Sequence, residues 1–141
     1  MLRRKFLNIL LSQTDPLYLA NLIKYEKLLS EKNAILKQQP IKTDLLDIYH
    51  SQLEPLNDYI YRARKGIILK LQTKLQEYLK LLLPPNSPPY HIKYESIFHE
   101  NSYQNCYAHY KKAEYSSMRS LFGIHKDDLG LYLGEYLFRS V

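Results

Sequence analysis

Apolar residues recur at three- and four-residue steps through most of this chain, and the places where that rhythm breaks divide it into elements. Leu2, Phe6 and Ile9 or Leu10 predict a short first helix over about 2–11, ended by Ser12-Gln13-Thr14. Asp15-Pro16 predicts a strong restart: an aspartate oxygen accepts from free first-turn amides, and proline at the first helical position loses no hydrogen bond. A helix over about 16–37 follows. Its inner face carries Tyr18, Leu22, Tyr25, Leu29 and Leu36, with Lys24, Glu26, Lys27, Glu31 and Lys32 mainly outside.

The longest stripe runs Leu45, Tyr49, Leu53, Leu56, Ile60, Ala63, Ile67, Leu71, Leu75, Tyr78 and Leu82. It predicts a long helix pair, a coiled-coil-like antiparallel arm. Pro55 lies within it and is expected to split the helix near Leu53 and Glu54 into two segments sharing a face. Gly66 is a weaker break. Pro84-Pro85-Asn86-Ser87-Pro88-Pro89 cannot be helical, and the pattern changes after it. Residues 90–97 alternate as a strand, 101–115 return to helical spacing, and 121–124, 129–133 and 136–139 read as extended, with Gly134-Glu135 as a hairpin turn. The expected organisation is a helical arm over 1–83, a Pro-rich linker over 84–89, and a small α+β segment over 90–141 ending in a hairpin. The fold class is α+β, predominantly α.

A length of 141 residues suits one domain, and 45% hydrophobic with 24% charged residues is the composition of a folded protein. No apolar run approaches the roughly 20 residues of a membrane helix. Asn8, Ser12, Gln13 and Asp15 interrupt any signal-peptide core, and the lone Cys106 has no internal disulfide partner. Both features point to the cytoplasm. A net charge of +6 favours an anionic partner, nucleic acid first and an acidic protein second. Arg3, Arg4 and Lys5 form one basic cluster, and Arg62, Arg64 and Lys65, with Lys70 and Lys74 beyond, form another. Either could contact phosphates, although such runs are usually a solvated face. The fourteen tyrosines could stack on bases but more often fill helical packing.

Catalytic signals are poor. No G-x-x-x-x-G-K-[ST] loop occurs, and no aspartate ends a strongly apolar strand to hold magnesium. Cys106-x-x-His109, with His91 and His99 upstream, lacks the paired spacing of a zinc site. His125 with Asp127 and Asp128 reads either as an acid/base constellation or, preferably, as a hairpin entry in which the aspartates cap amides.

Three stretches resemble the RecF family of bacterial recombination and repair ATPases, relatives of the SMC-like proteins. Arg3, Arg4, Phe6, Leu7, Leu10, Leu11, Ser12, Gln13, Asp15, Pro16 and Tyr18 look like the family's R-R-x-[FY]-L-D segment and the helix after it. Glu31-Lys32-Asn33-Ala34-Ile35-Leu36-Lys37 is similar to its R-N-A-L-L-K stretch. Gly123, His125, Asp127, Asp128 and Leu129 match G-P-H-R-D-D-L. Asn8 replaces the usual aspartate, Ile124 the proline and Lys126 the arginine. The first change removes a charge facing basic neighbours; the other two loosen the turn.

The resemblance implies a partial SMC/ABC-type ATPase head: a central fragment comprising the arm and the start of the head's second lobe. The phosphate loop and signature sequence would lie outside it. An intact family member would bind ATP and Mg, dimerise, and hold DNA at single-strand gaps with RecR- and RecO-like partners in recombinational repair, DNA-damage and SOS functions. For this chain it implies a non-enzymatic DNA-binding segment without a cofactor of its own. The alternative is a helical interaction or dimerisation module that binds no nucleic acid. Exposed edges of the terminal strands predict self-association.

Overall fold

The computed structural model describes residues 2–137 as four α-helices and a small antiparallel sheet. Helix α1 spans Leu2–Thr14, α2 Pro16–Leu36, α3 Thr43–Leu82 and α4 Tyr103–Ser117. Strands β1 (Tyr90–Glu95), β2 (Asp128–Leu133) and β3 (Tyr136–Leu137) form a sheet in that order. Tyr90 opposes Leu133 and Glu95 opposes Asp128 across the β1–β2 ladder. Phe138 and Arg139, at the end of the last predicted extended run, lie outside the described residues.

Local signals placed most boundaries. Asp15 accepts from the Leu17 amide at 3.0 Å with Pro16 at the first helical position. It also accepts from the Tyr59 hydroxyl at 2.6 Å, which fixes the start of α2 to α3. Helix α1 runs past its expected stop through Thr14, whose hydroxyl turns back to the Leu10 carbonyl at 3.2 Å instead of capping. Gly134 adopts φ 57° in the β2–β3 turn, a conformation favouring glycine.

Pro55 does not divide α3, which is one continuous helix of 40 residues. Proline deprives the Ser51 carbonyl of its intrahelical donor, but Ser51 and Pro55 are both exposed, so water can take the vacated bond. Leu53, Leu56 and Ile60, on both sides of the proline, pack into one core with Leu22, Tyr25 and Leu28 of α2. Burying each such side chain is worth about 1.5–3 kcal/mol, enough together to hold the helix through the break.

The buried line of α3 is rotated from the one that hydrophobicity suggests. It contains Leu46, His50, Leu53, Leu56, Asn57, Ile60, Arg64 and Ile68, so three polar residues sit seven apart on the inward face. Leu45, Tyr49, Ala63 and Ile67 flank that line, partly buried. Past Ile68 the helix runs on with Leu69, Tyr78, Leu81 and Leu82 exposed. Residues 84–89 carry the chain back to β1, which packs on α3, and core residues Leu53, Phe98, Tyr103 and Phe122 belong to one cluster on both sides of that connection.

Residues 121–124 are not a strand. Gly123 takes φ 132°, and Ile124–Lys126 form a 3-10 turn. The cause is visible in their hydrogen bonds, which go to side chains.

Candidate functional site

From Ser120 onward the segment between α4 and β2 is largely buried, and buried backbone must find partners. Here side chains from all four helices supply them. Asn33 of α2 accepts from the Ser120 amide at 2.7 Å, and Glu114 of α4 accepts from the Leu121 amide at 2.8 Å. Asn57 of α3 accepts from the Ile124 amide at 3.0 Å, and Arg64 donates to the Ile124 carbonyl at 2.7 Å. Arg4 of α1 donates to the Asp127 carbonyl at 3.1 Å.

Arg64 is the hub. Its Nε donates to the Tyr18 hydroxyl at 3.1 Å and Nη2 to Asn8 Oδ1 at 2.9 Å. Tyr18 in turn donates to Asn8 Oδ1 at 2.7 Å. Nη1 also lies 3.9 Å from Asp127 Oδ2, which accepts from the Tyr94 hydroxyl of β1. Arg3 pairs with Asp128 at 3.0 Å across the rim. The stretches beginning at Arg3 and at Gly123 therefore meet on one guanidinium, 1% exposed, from the middle of α3.

A second buried pair ties the other end of the loop. Lys32 Nζ stands 2.8 Å from Glu114 Oε2, with both side chains 1% exposed, and 5.0 Å from the Phe122 ring centroid. His50 stacks on Tyr107 at 3.6 Å between centroids and shares a 2.9 Å hydrogen bond with the Tyr103 hydroxyl.

Burial dominates the electrostatics. It raises the Asp127 carboxyl above its ordinary value, opposed by hydrogen bonds from Tyr94 and Ser96 and by the charge of Arg64. It also lowers the Lys32 ammonium, which Glu114 partly restores. His125, in hydrogen-bond contact with the Tyr25 hydroxyl at 2.9 Å, is held down to about 3, chiefly by burial and then by Lys126. His50 falls to about 3 for the same first reason, with Lys32 next. Both imidazoles are neutral at pH 7, so they pack and hydrogen-bond without charge. A Cβ on Gly123 would collide with the Tyr25 hydroxyl and the His125 ring, and its φ already favours glycine.

Several sequence expectations change. Arg64 is no phosphate contact, because its three nitrogens are all bonded inside the core, to Tyr18, the Ile124 carbonyl and Asn8. Lys32, expected on the outer face, is buried. Arg3 and Arg4 are half-buried and bonded to the second motif, while Lys5, Arg62 and Lys65 remain exposed. Lys65 Nζ lies 5.8 Å from the centroid of Tyr61. Phe6 is exposed and Leu7 buried; Lys126 is exposed beside the buried loop. Asp127 caps no amide with its side chain, whereas Asp128 Oδ1 accepts from the Leu129 amide at 2.8 Å. Cys106 is buried and His109 exposed, and among the described residues no three His, Cys, Asp or Glu side chains stand together as a metal site. Asn57, Tyr94 and Glu114 were not foreseen. The seven-residue spacing of His50, Asn57 and Arg64 inside an apolar stripe was the available signal for Asn57.

No protein-family model matches the chain. The DNA replication and repair protein RecF of Parabacteroides distasonis is 30% identical over 139 residues, which is 99% of this chain and 38% of the relative. The chain belongs to the RecF family. RecF of Bacteroides fragilis is 28% identical over 135 residues, 95% of this chain and 36% of that protein. RecF of Clostridium beijerinckii reaches 43% over 70 residues, half of this chain and 19% of the relative. The fold agrees with a solved RecF–ATP structure, a recombination mediator protein of the RecFOR pathway. The TM-score is 0.86 at 23% identity, covering 97% of this chain and 39% of that one. The chain thus spans well under half the length of the RecF proteins it matches. The three RecF-like stretches read from the sequence are those that supply Arg4, Asn33 and the loop they hold.

Proposed function

We propose that this chain serves DNA replication and repair as a non-catalytic segment of a RecF-type protein, contacting DNA at single-strand gaps. The observation that carries this reading is a division of labour on α3. Arg64 faces inward and holds the RecF-like stretches together, while Arg62 and Lys65, three residues apart and therefore neighbours on the helix surface, face solvent. Lys5 offers a further exposed cation on α1. Such cations bind phosphate by displacing counterions, without reading sequence. ATP and Mg belong, in this reading, to parts of a RecF-type protein other than this segment. RecR- and RecO-like proteins are the expected protein partners, in the cytoplasm. No helix among the described residues is long and apolar enough to cross a membrane.

Titrating the purified chain into fluorescent gapped duplex DNA at two salt concentrations, with and without ATP, tests this. The expected result is binding that weakens steeply with salt and ignores ATP. Replacing Arg62 and Lys65 by alanine should reduce the salt slope by about one per residue lost from a phosphate contact. Absence of binding at low salt contradicts the proposal.

A further inference from the structure

The fold uses most of the polar groups in the stretches at Arg3 and Gly123, and those left over stand near one another. Arg3 is paired with Asp128, and Asp127 turns its carboxyl inward to the Tyr94 hydroxyl. Arg4 is different. Its Nη1 holds the Asp127 carbonyl at 3.1 Å, and among the described residues no carboxylate pairs with its charge. Lys126 is exposed, and among the described residues its ammonium has neither an ion pair nor a hydrogen bond.

His125 completes the group. Its ring lies over Gly123, where a Cβ would stand 2.7 Å from Nδ1, and Nδ1 shares the 2.9 Å hydrogen bond with the Tyr25 hydroxyl. Burial pushes that hydroxyl well above its ordinary value, so it keeps its proton at neutral pH, and the His125 amide faces its oxygen. A hydroxyl that accepts from an amide has its one proton to give to Nδ1, and the neutral imidazole then carries its own on Nε2. Among the described residues Nε2 has no hydrogen-bond partner.

The charges around this ring are of one sign. Lys126, Lys32, Arg4 and Arg64 all bear on it electrostatically. Lys32 and Arg64 have their partners in the core, which leaves Lys126 and Arg4. The two acids that follow Lys126 are engaged elsewhere: Asp127 is 2% exposed and bonded to Tyr94, and Asp128 is held by Arg3 at 3.0 Å.

We infer that Arg4, His125 and Lys126 form a binding site for a phosphate ester, the guanidinium and ammonium matching its charge and the His125 Nε2–H donating to one oxygen. Phosphate suits this set better than carboxylate, because its oxygens are disposed tetrahedrally and donors can approach from several sides. The neutral imidazole adds direction without adding charge. The site is separate from Arg62 and Lys65 and does not rest on the DNA contacts proposed for them. A nucleic-acid backbone and a free nucleotide offer the same chemistry, and the test separates the two.

The histidine ring nitrogens of the isotope-labelled chain give the direct readout by NMR, with inorganic pyrophosphate as the probe. In the free protein His125 should carry its proton on Nε2, and titration should shift that nitrogen saturably and more than the ring nitrogens of His91, His99 or His109. Lys126→Gln removes no contact of the fold and should weaken binding about tenfold, the loss of one charge-assisted hydrogen bond. Lys70→Gln, an equal loss of charge on the distal part of α3, should leave binding unchanged. A short thymidine oligonucleotide without terminal phosphates and ADP then serve as competitors. Displacement by the oligonucleotide upholds the inference with a nucleic-acid backbone as the ligand, and displacement by ADP alone upholds it with a free nucleotide. An unprotonated Nε2, equal weakening by both substitutions, or pyrophosphate that neither competitor displaces overturns it. Gapped DNA that fails to bind while pyrophosphate and ADP do would sink the DNA reading and leave this site standing.

Discussion

The two parts of α3 carry the same apolar rhythm and have opposite fates. From Thr43 to Ile68 the inward line includes His50, Asn57 and Arg64, yet it is the buried part. From Leu69 to Leu82 the stripe continues through Leu71, Leu75, Tyr78 and Leu82, yet Leu71 and Leu75 are only partly buried and Tyr78 and Leu82 lie in water. Hydrophobic periodicity thus marks which residues can be buried, and the partners decide which are. The proximal part is buried because Asn57 and Arg64 meet the amide and carbonyl of Ile124 in the loop between α4 and β2, whose own burial would otherwise strand those groups, while His50 bonds the Tyr103 hydroxyl.

The largest effect should come from removing the hub. Arg64→Met deprives Asn8, Tyr18 and the Ile124 carbonyl of a donor and leaves the buried Asp127 without its cation. About 3–5 kcal/mol of stability should be lost, read as a lower urea midpoint. Arg62→Met, two residues away and exposed, should stay within about 0.5 kcal/mol. Equal losses would dissolve the contrast between the faces of α3.

Acid should act next and on the proximal part. His50 and His125 titrate near 3 when folded and near 6.5 when unfolded, so between those values the unfolded chain binds more protons. Stability should therefore be complete above pH 6.5 and fall by about 1.4 kcal/mol per pH unit for each histidine on the way to pH 3. Asp127 opposes this close to and above its unfolded value of 3.8, because its folded carboxyl holds its proton more tightly. Urea midpoints between pH 7 and 4 measure the sum. His50→Phe should flatten the slope by one histidine's share, and an unchanged slope would contradict the assignment.

The smallest effect belongs to the rim. Arg3 and Asp128 are 36% and 38% exposed, so Arg3→Ala should cost no more than about 1 kcal/mol, less at high salt. A loss as large as that of Arg64→Met would place the joint between the two stretches at the rim and not at the hub.

What the sequence disclosed follows the same physics. The Asp15-Pro16 restart, the 90–95 strand and the Gly134 turn depend on neighbours in the chain, and they were legible. The continuity of α3 through Pro55 was not, because it rests on Leu53, Leu56 and Ile60 packing against α2. The resemblance indicated that the stretches at Arg3, Lys32-Asn33 and Gly123 belong together, but nothing local said how. Arg64 read as one more surface cation in a basic run. Its burial depends on the Ile124 carbonyl, 60 residues away, and on Asn8 and Tyr18 in other helices. Lys32 was misplaced for the same reason, since Glu114 is 82 residues distant.

Residue-resolved hydrogen exchange tests the central claim most directly: that side chains of four helices lock the loop between α4 and β2 into the core. The amides of Ser120, Leu121 and Ile124, though outside the α-helices and strands, should exchange only through global unfolding. Those of residues 74–82, though helical, should exchange through local opening and much faster. Loop amides exchanging faster than the end of α3 would contradict the account.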